Sequence, residues 1–110
     1  MNAMKNTVQL IGNVGNDPEI KTLDGGRKLA NLTIATNDSY KNDKGEKVEQ
    51  TEWHKVVAWG KTADIIEKYV TKGLHIGIEG KLTHRSYDDK NGEKRYITEV
   101  VVNEVMLLGK

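Results

Sequence analysis

Residues 51–59 constrain the fold and the function of this chain more than any other segment. Their sequence is Thr-Glu-Trp-His-Lys-Val-Val-Ala-Trp. In a β-strand, successive side chains point to opposite faces, so the odd-numbered residues share one face. Those residues are Trp53, Lys55, Val57 and Trp59. A lysine between two tryptophans does not suit a dry core, because a buried ammonium needs a partner. The pattern instead predicts a surface on which flat rings stack while cations meet a polyanion.

The rest of the chain alternates apolar and polar residues as strands do, with one helical interruption. Strands are predicted over residues 7–12, 30–35, 51–59, 74–82 and 96–107. A helix is predicted over residues 61–72, with Thr62 as its N-cap and Gly73 after its last residue. Residues 38–49 are rich in charge and are expected to form a solvated hairpin loop, and Asn91-Gly92 predicts a tight turn.

This order of elements indicates an all-β fold. Three strands, a helix and two strands are typical of the OB-fold, a five-stranded Greek-key barrel with one helix between strands 3 and 4. A different closure of the same strands stays open at this point. The length of 110 residues fits one domain. We expect that domain over residues 4–110, with residues 1–3 as a remnant ahead of a natural start at Met4.

Composition excludes several classes of protein. The chain has no cysteine, so disulfides and thiolate metal sites are excluded. No apolar run approaches the roughly 18 residues that span a bilayer, and no signal segment opens the chain, so a membrane partner is not expected. The net charge is only +1, from 17 basic and 16 acidic residues. A surface for a polyanion must therefore arise from how the charges are sorted in space.

Catalysis finds little support in the sequence. Ser39 and Ser86 lie in polar segments without the setting of a nucleophile elbow. The three histidines, His54, His75 and His84, lack metal-ligand spacing. No glycine-rich loop ending in Gly-Lys-Ser/Thr is present. We therefore predict a chain that is not an enzyme and that has no metal or other cofactor.

Several segments, in order and correctly spaced, carry a family resemblance. They include Gly-Asn-Val-Gly-Asn-Asp-Pro-Glu at residues 12–19, Ala-Asn-Leu-Thr-Ile-Ala-Thr at 30–36, Gln-Thr-Glu-Trp-His-Lys-Val-Val at 50–57, Ile-Glu-Gly-Lys-Leu at 78–82 and Thr-Glu-Val-Val-Val at 98–102. Over nearly its whole length the chain resembles the bacterial single-stranded DNA-binding protein family. The resemblance implies an OB-fold that assembles as a homotetramer and binds single-stranded DNA during replication, repair and recombination. Since the sequence shows neither a membrane-spanning run nor a signal segment, the expected location is cytoplasmic, and for a DNA-binding protein nucleoid-associated.

The resemblance assigns roles to particular residues. Those expected to stack on bases are Trp53, Trp59, Tyr40 and Tyr87. Those at or beside positions that follow the phosphate backbone are Lys41, Lys55, Lys61, Lys72, Arg85 and Arg95. His54 is expected at a subunit interface. The alternatives are that the rings fill the core or an interface, that the lysines are only solvated, and that His54 is a partly buried histidine with a local partner. Tyr69 and Tyr96 are expected to be packed.

The resemblance also implies partners, and other functions stay open beside it. Family members usually continue into a flexible tail that recruits replication and repair proteins, and that tail is absent from this sequence, which stops at residue 110. One alternative is a related, dimeric OB-fold that binds RNA or acts in replication restart. Another is a module whose aromatic face binds protein. An enzyme with a site around His54 is the most distant alternative.

Overall fold

The computed structural model describes residues 3–109, and within them the chain forms six β-strands, one α-helix and two 3-10 turns. The strands are β1 (Val8–Val14), β2 (Glu19–Thr22), β3 (Lys28–Lys41), β4 (Lys47–Trp59), β5 (His75–Asp88) and β6 (Lys94–Gly109). The helix α1 (Gly60–Tyr69) connects β4 to β5, and the 3-10 turns are Ala3–Asn6 and Asp24–Gly26. Residues 1 and 2 of the expected remnant lie outside the described residues.

Five of the strands close into a barrel. β1 pairs with β5, β5 with β6, and β3 with β4, all antiparallel, while β4 and β6 run parallel and pair at residues 56–57 and 100–101. Asn13 and Val14 of β1 then pair with Ala35 and Ile34 of β3, which closes the ring. Gly12 permits this closure, because a Cβ there would overlap the carbonyl oxygen of Ala35. The predicted OB-fold, with its helix between the third and fourth barrel strands, is confirmed.

The inside of the barrel is an apolar core to which every barrel strand and the helix contribute. The largest side chains that are fully buried there are Ile34, Val56, Ile66 and Ile76. On β4 the core residues are Val56 and Ala58, so the odd-numbered residues of the same strand point outward. The alternation predicted for residues 51–59 is therefore present.

The predicted hairpin loop is largely a two-stranded ribbon. β3 and β4 stay paired from the barrel out to Lys41 and Lys47, and only residues 42–46 turn. Gly45 has a positive φ of 79° in that turn. A similar ribbon of β5 and β6 stays paired out to Asp88 and Lys94. Both ribbons are exposed, which is why their charged residues are compatible with strand structure.

The helix differs from its predicted bounds at both ends. It begins at Gly60 because β4 leads directly into it, and the φ of 60° at Gly60 allows the chain to change direction there. Trp59 occupies the N-cap position without a side-chain hydrogen bond, so the prediction that Thr62 is the N-cap was wrong. The helix ends at Tyr69, and Lys72 therefore lies in the following loop. A strand that the sequence did not predict, β2, pairs with residues 28–31 of β3.

Candidate nucleic-acid interface

The register of the strands places most of the predicted site residues on one outer face of the barrel. Val57 of β4 pairs with Val101 of β6, and the odd-numbered residues of these strands and their neighbours point the same way. This outer face consists of Leu29, Asn31, Thr33 and Ala35 on β3, Trp53, Lys55, Val57 and Trp59 on β4, Lys81, Thr83, Arg85 and Tyr87 on β5, and Arg95, Ile97, Glu99 and Val101 on β6. Along β4, Trp53 and Trp59 are about 20 Å apart.

Trp53 is an exposed ring held against the backbone. Trp53 is 63% exposed, and it pairs with Ala35 of the neighbouring strand β3. The ring lies over Gly15, where a Cβ would overlap the ring carbon Cζ3 and also crowd the hydroxyl of Thr33. A position in the core is therefore excluded for this ring within the chain. Gly15 was not among the predicted site residues, although it lies in one of the segments that carry the resemblance.

Replacing Gly15 by alanine is expected to tilt the Trp53 ring and to weaken any binding that depends on it. The new methyl group meets the Trp53 ring and the Thr33 hydroxyl, which is hydrogen-bonded to Asn16, so both must shift and the fold should lose some stability. Affinity for oligo(dT), measured by fluorescence anisotropy, should fall severalfold in Gly15→Ala. The same substitution made in a Trp53→Ala background should have almost no further effect on affinity, and an equal effect in both backgrounds would show that Gly15 does not act through the Trp53 ring.

Lys55 lies between the two ribbons on the floor of the outer face. It is exposed and lines two adjoining grooves, one with Trp53 and Tyr96 and the other with Asn16 and Arg85. Within residues 3–109, no carboxylate lies within ion-pair distance of its ammonium group. Its charge is therefore available to a ligand in these grooves.

Trp59 lies at the far end of the face and is half-buried. The guanidinium carbon of Arg27 lies over its ring, 4.1 Å from the centroid. Trp59 pairs with Leu29, and Arg27 precedes that residue by two positions, so all three point to the outer side. No local sequence pattern predicts this contact, because it joins residues 32 positions apart.

Tyr87 and Arg95 pair directly across the β5–β6 ribbon. Tyr87 is 44% exposed. The guanidinium of Arg95 donates to Asp89 at 2.9 Å and approaches Glu93 at 3.5 Å. The Arg95 guanidinium lowers the pKa of the Asp89 carboxyl, and the backbone N–H groups of residues 93 and 91, which donate to the same carboxyl, lower it further. Arg95 is thus engaged with acids at the ribbon tip.

Arg85 is also engaged with an acid. Its Nε donates to Glu99 Oε1 at 2.9 Å across the β5–β6 ladder. The Glu99 side chain is only 11% exposed, although it belongs to the outer face. Glu99 was not among the predicted site residues, and in the sequence it directly precedes a run of valines. The two predicted arginines therefore already have carboxylate partners, whereas Lys55 has none.

Tyr40 and Lys41 lie near the tip of the β3–β4 ribbon. Tyr40 is 53% exposed and pairs with Val48. Its even position places it on the side of the ribbon that continues from Ile34, opposite to the Trp53 side. By the same alternation of side chains along a strand, Lys41 lies on the Trp53 side of the ribbon. The structure therefore brings Trp53, Trp59 and Tyr87 onto one face and leaves Tyr40 on the reverse of the ribbon.

Lys61 and Lys72 lie outside the sheet. Lys61 is exposed in the first turn of α1, next to the end of β4. Lys72 is exposed in the loop after α1, where its backbone N–H donates to Asp17 Oδ1 at 2.9 Å. Among the described residues, neither ammonium group has an ion-pair partner. Both cations border the barrel without belonging to the outer face.

His54 points inward at the end of the barrel, opposite to Trp53 and Lys55. It is half-buried and pairs with Ile34. Its Nε2 lies 2.9 Å from Thr36 Oγ1, with which it shares a hydrogen bond. His54 therefore has a hydrogen-bond partner within the chain, which agrees with the alternative of a partly buried histidine.

The two tyrosines that were expected to be packed are exposed instead. Tyr69 is 59% exposed and Tyr96 is 76% exposed.

In the part of the chain from residue 3 to 109, no group of three or more His, Asp or Glu side chains is placed to hold a metal ion. No helix in that range is long and apolar enough to cross a membrane.

Comparison with known proteins gives consistent matches. A family model described as the single-strand binding protein family matches residues 5–108. A Chlorobaculum tepidum protein named single-stranded DNA-binding protein 1 is 48% identical over 105 residues, which are 94% of this chain but only 65% of that protein. A Xylella fastidiosa protein of the same name is 44% identical over 109 residues, 98% of this chain and 80% of that protein. The solved structure of a Plasmodium falciparum SSB complex with ssDNA has a TM-score of 0.87 and 33% identity, and the match covers 98% of this chain and 99% of that chain.

The fold and the outer face together define an OB-fold barrel with exposed rings and cations on one side. The chain belongs to the single-strand binding protein family. The resemblance predicted from the sequence is thereby confirmed. The family is one of binding proteins, which agrees with the prediction that the chain is not an enzyme.

Proposed function

We propose that this chain binds single-stranded DNA on its outer face, largely without regard to sequence. The observation that carries the proposal is the open face on which Trp53 and Trp59 flank Lys55, whose ammonium has no carboxylate partner among residues 3–109. Every base has a π-face, so stacking on such rings is tolerant of sequence and contributes about 1–3 kcal/mol per base. Bases in a duplex are already stacked on one another, so the same rings favour the single strand.

The cations would add a second, salt-dependent contribution to binding. Phosphates neutralised by lysine or arginine release counterions, so affinity falls as salt rises. We propose Lys55 as the central phosphate contact, with Lys41, Lys61 and Lys72 at the borders of the track. Arg85 and Arg95 are proposed contacts whose charge is shared with acids on the protein. Tyr87 extends the stacking face, and Tyr40 can stack only if the strand passes around the β3–β4 ribbon.

Such binding would protect and organise unpaired strands during replication, repair and recombination. The mechanism is passive, because occupied bases cannot reanneal and a covered backbone is less accessible to nucleases. We propose that this activity takes place in the cytoplasm, in association with the nucleoid. We propose no role for residues 3–109 in recruiting replication and repair proteins.

We further propose that the chain assembles as a homotetramer through the apolar side of β1, β5 and β6. Ile11 is 65% exposed and pairs with Gly77, which in turn pairs with Met106, 63% exposed. The missing side chain at Gly77 leaves a groove between these two residues. Leu108, which is 41% exposed and lies beside the position that a Gly77 Cβ would take, extends the apolar surface. A second copy of the chain would bury this surface, and we retain His54 as a proposed interface residue.

Introducing charge on this apolar side is expected to dissociate the assembly. The variant Ile11→Glu/Met106→Glu places two carboxylates where a second copy would pack, and an unpaired buried charge is costly. Light scattering should give four times the chain mass for the wild type and a smaller species for the variant. Ile65→Glu is the matched control, because Ile65 is 44% exposed on α1. A monomeric wild type, or an unchanged mass in the double variant, would contradict the proposal.

A titration tests the proposed function itself. Adding oligo(dT) should quench tryptophan emission in a saturable way, and the midpoint should weaken as salt rises. Duplex DNA of the same length should compete poorly. Lack of quenching, or equal affinity for duplex, would refute the proposal, and a clear preference for oligo(rU) would favour the RNA-binding alternative.

A further inference from the structure

Arg27 is a cation that neither the resemblance nor the sequence pattern assigns to binding. It is exposed and directly follows Gly25 and Gly26, both with positive φ. Its backbone is fixed, because the Arg27 carbonyl accepts a hydrogen bond of 2.7 Å from the N–H of Leu23. Its side chain lies over Trp59. The residue is thus held at the end of the outer face.

The contact with Trp59 leaves the donors of the guanidinium unused. A guanidinium that stacks on a ring uses its flat face, while its five N–H donors lie in its plane and point around the ring. Among the described residues, the Arg27 side chain has no hydrogen-bond or ion-pair partner. This distinguishes it from Arg85 and Arg95, which already donate to carboxylates. Its donors are therefore free for a bidentate contact with a phosphate.

We propose that Arg27 binds a backbone phosphate of the single strand and that Trp59 acts there as the residue that positions it. The ring limits the rotamers of the arginine before binding, so less conformational entropy is lost when the phosphate arrives. The ring face under Arg27 is then not a stacking platform for a base. This inference rests on the proposed function and changes the role of Trp59 within it.

The salt dependence of oligo(dT) binding tests the proposal. Each phosphate contact on a single strand contributes about 0.7 to the slope of log K against log salt, so Arg27→Ala should reduce the magnitude of that slope by about 0.7. By the same relation its affinity at 0.1 M salt should fall about fivefold. Lys68→Ala removes one charge from an exposed position on α1 and should leave the slope unchanged. Arg27→Lys should keep the slope but bind more weakly than the wild type, because lysine lacks the flat face.

The role of Trp59 is tested by a double-mutant cycle. Arg27→Ala should cost less affinity in a Trp59→Leu background than in the wild type, because the ring no longer holds the arginine. Equal costs in both backgrounds overturn the proposal, as does an Arg27→Ala variant whose slope is unchanged or whose affinity rises, since Arg27 would then only cover the ring. Failure of the wild type to bind oligo(dT) in the same titration would instead refute the proposed function.

Discussion

Trp53→Ala is expected to weaken oligo(dT) binding by about 1–3 kcal/mol, the contribution of one stacked base. This corresponds to a loss of about fivefold to somewhat more than a hundredfold in affinity. The ring is 63% exposed, so its removal should leave the fold nearly as stable as before. Anisotropy of a labelled oligo(dT) measures the affinity without depending on the tryptophan signal. Trp53→Phe keeps an aromatic face and should lose less.

The matched control for Trp53 is Tyr69→Ala. Tyr69 is almost equally exposed, at 59%, but lies on α1 and not on the outer face. Its removal should leave affinity unchanged if stacking is confined to the face. Similar losses for both variants would show that exposed rings act non-specifically, and an unchanged affinity for Trp53→Ala would remove the ring from the proposed track.

Ile66→Ala is expected to destabilise the fold by about 2–5 kcal/mol, the usual cost of truncating a buried isoleucine. Ile66 is 0% exposed and belongs to the core that α1 shares with the barrel. The loss combines the transfer free energy of the missing groups with the cavity that they leave. Urea unfolding, followed by far-UV circular dichroism, measures it at one fixed protein concentration, because the proposed assembly would make stability depend on concentration.

The neighbouring residue on the helix provides the control. Ile65 is 44% exposed, so Ile65→Ala should change the free energy of unfolding by only about 0.5 kcal/mol. The two variants have the same chemistry and differ only in the face of the helix that they alter. Equal midpoints in urea would mean that α1 does not pack on the barrel as described.

Those parts of the fold that depend on local periodicity could be predicted from the sequence. The alternation in residues 51–59 identified which β4 side chains point outward, because the period of a strand is fixed by its backbone. The helix was located correctly but its ends were not. Its start depends on the positive φ of Gly60, and Gly73, which has a φ of 90°, belongs to the turn into β5 instead of the helix end.

Other elements carried too little apolar signal to be predicted. β2 has four residues, Glu-Ile-Lys-Thr, with a single apolar side chain, and it is a strand only because the edge of β3 is available to it. The outer part of the β3–β4 ribbon was predicted as a loop because its residues are charged. A ribbon exposed on both sides buries no face, so its pairing leaves no alternating pattern in the sequence.

The details of the candidate site depend on contacts between distant residues. The ring of Trp53 rests on Gly15, Arg27 covers Trp59, and Glu99 holds Arg85. Each contact depends on barrel closure or on strand register, and neither can be predicted from the local pattern of one sequence. The side of the ribbon on which Tyr40 lies also depends on the register, which places it on the reverse from Trp53, and its role in stacking stays a prediction.

Ultraviolet crosslinking of the chain to oligo(dT), with the attached residues mapped by mass spectrometry, tests most directly whether the outer face is the path of the strand. Aromatic rings in contact with thymine should give the crosslinks, so the account predicts attachment in the peptides that contain Trp53 and Tyr87. The peptide that contains Tyr69 should stay free. Crosslinks confined to α1, or to the apolar side around Ile11 and Met106, would contradict the account.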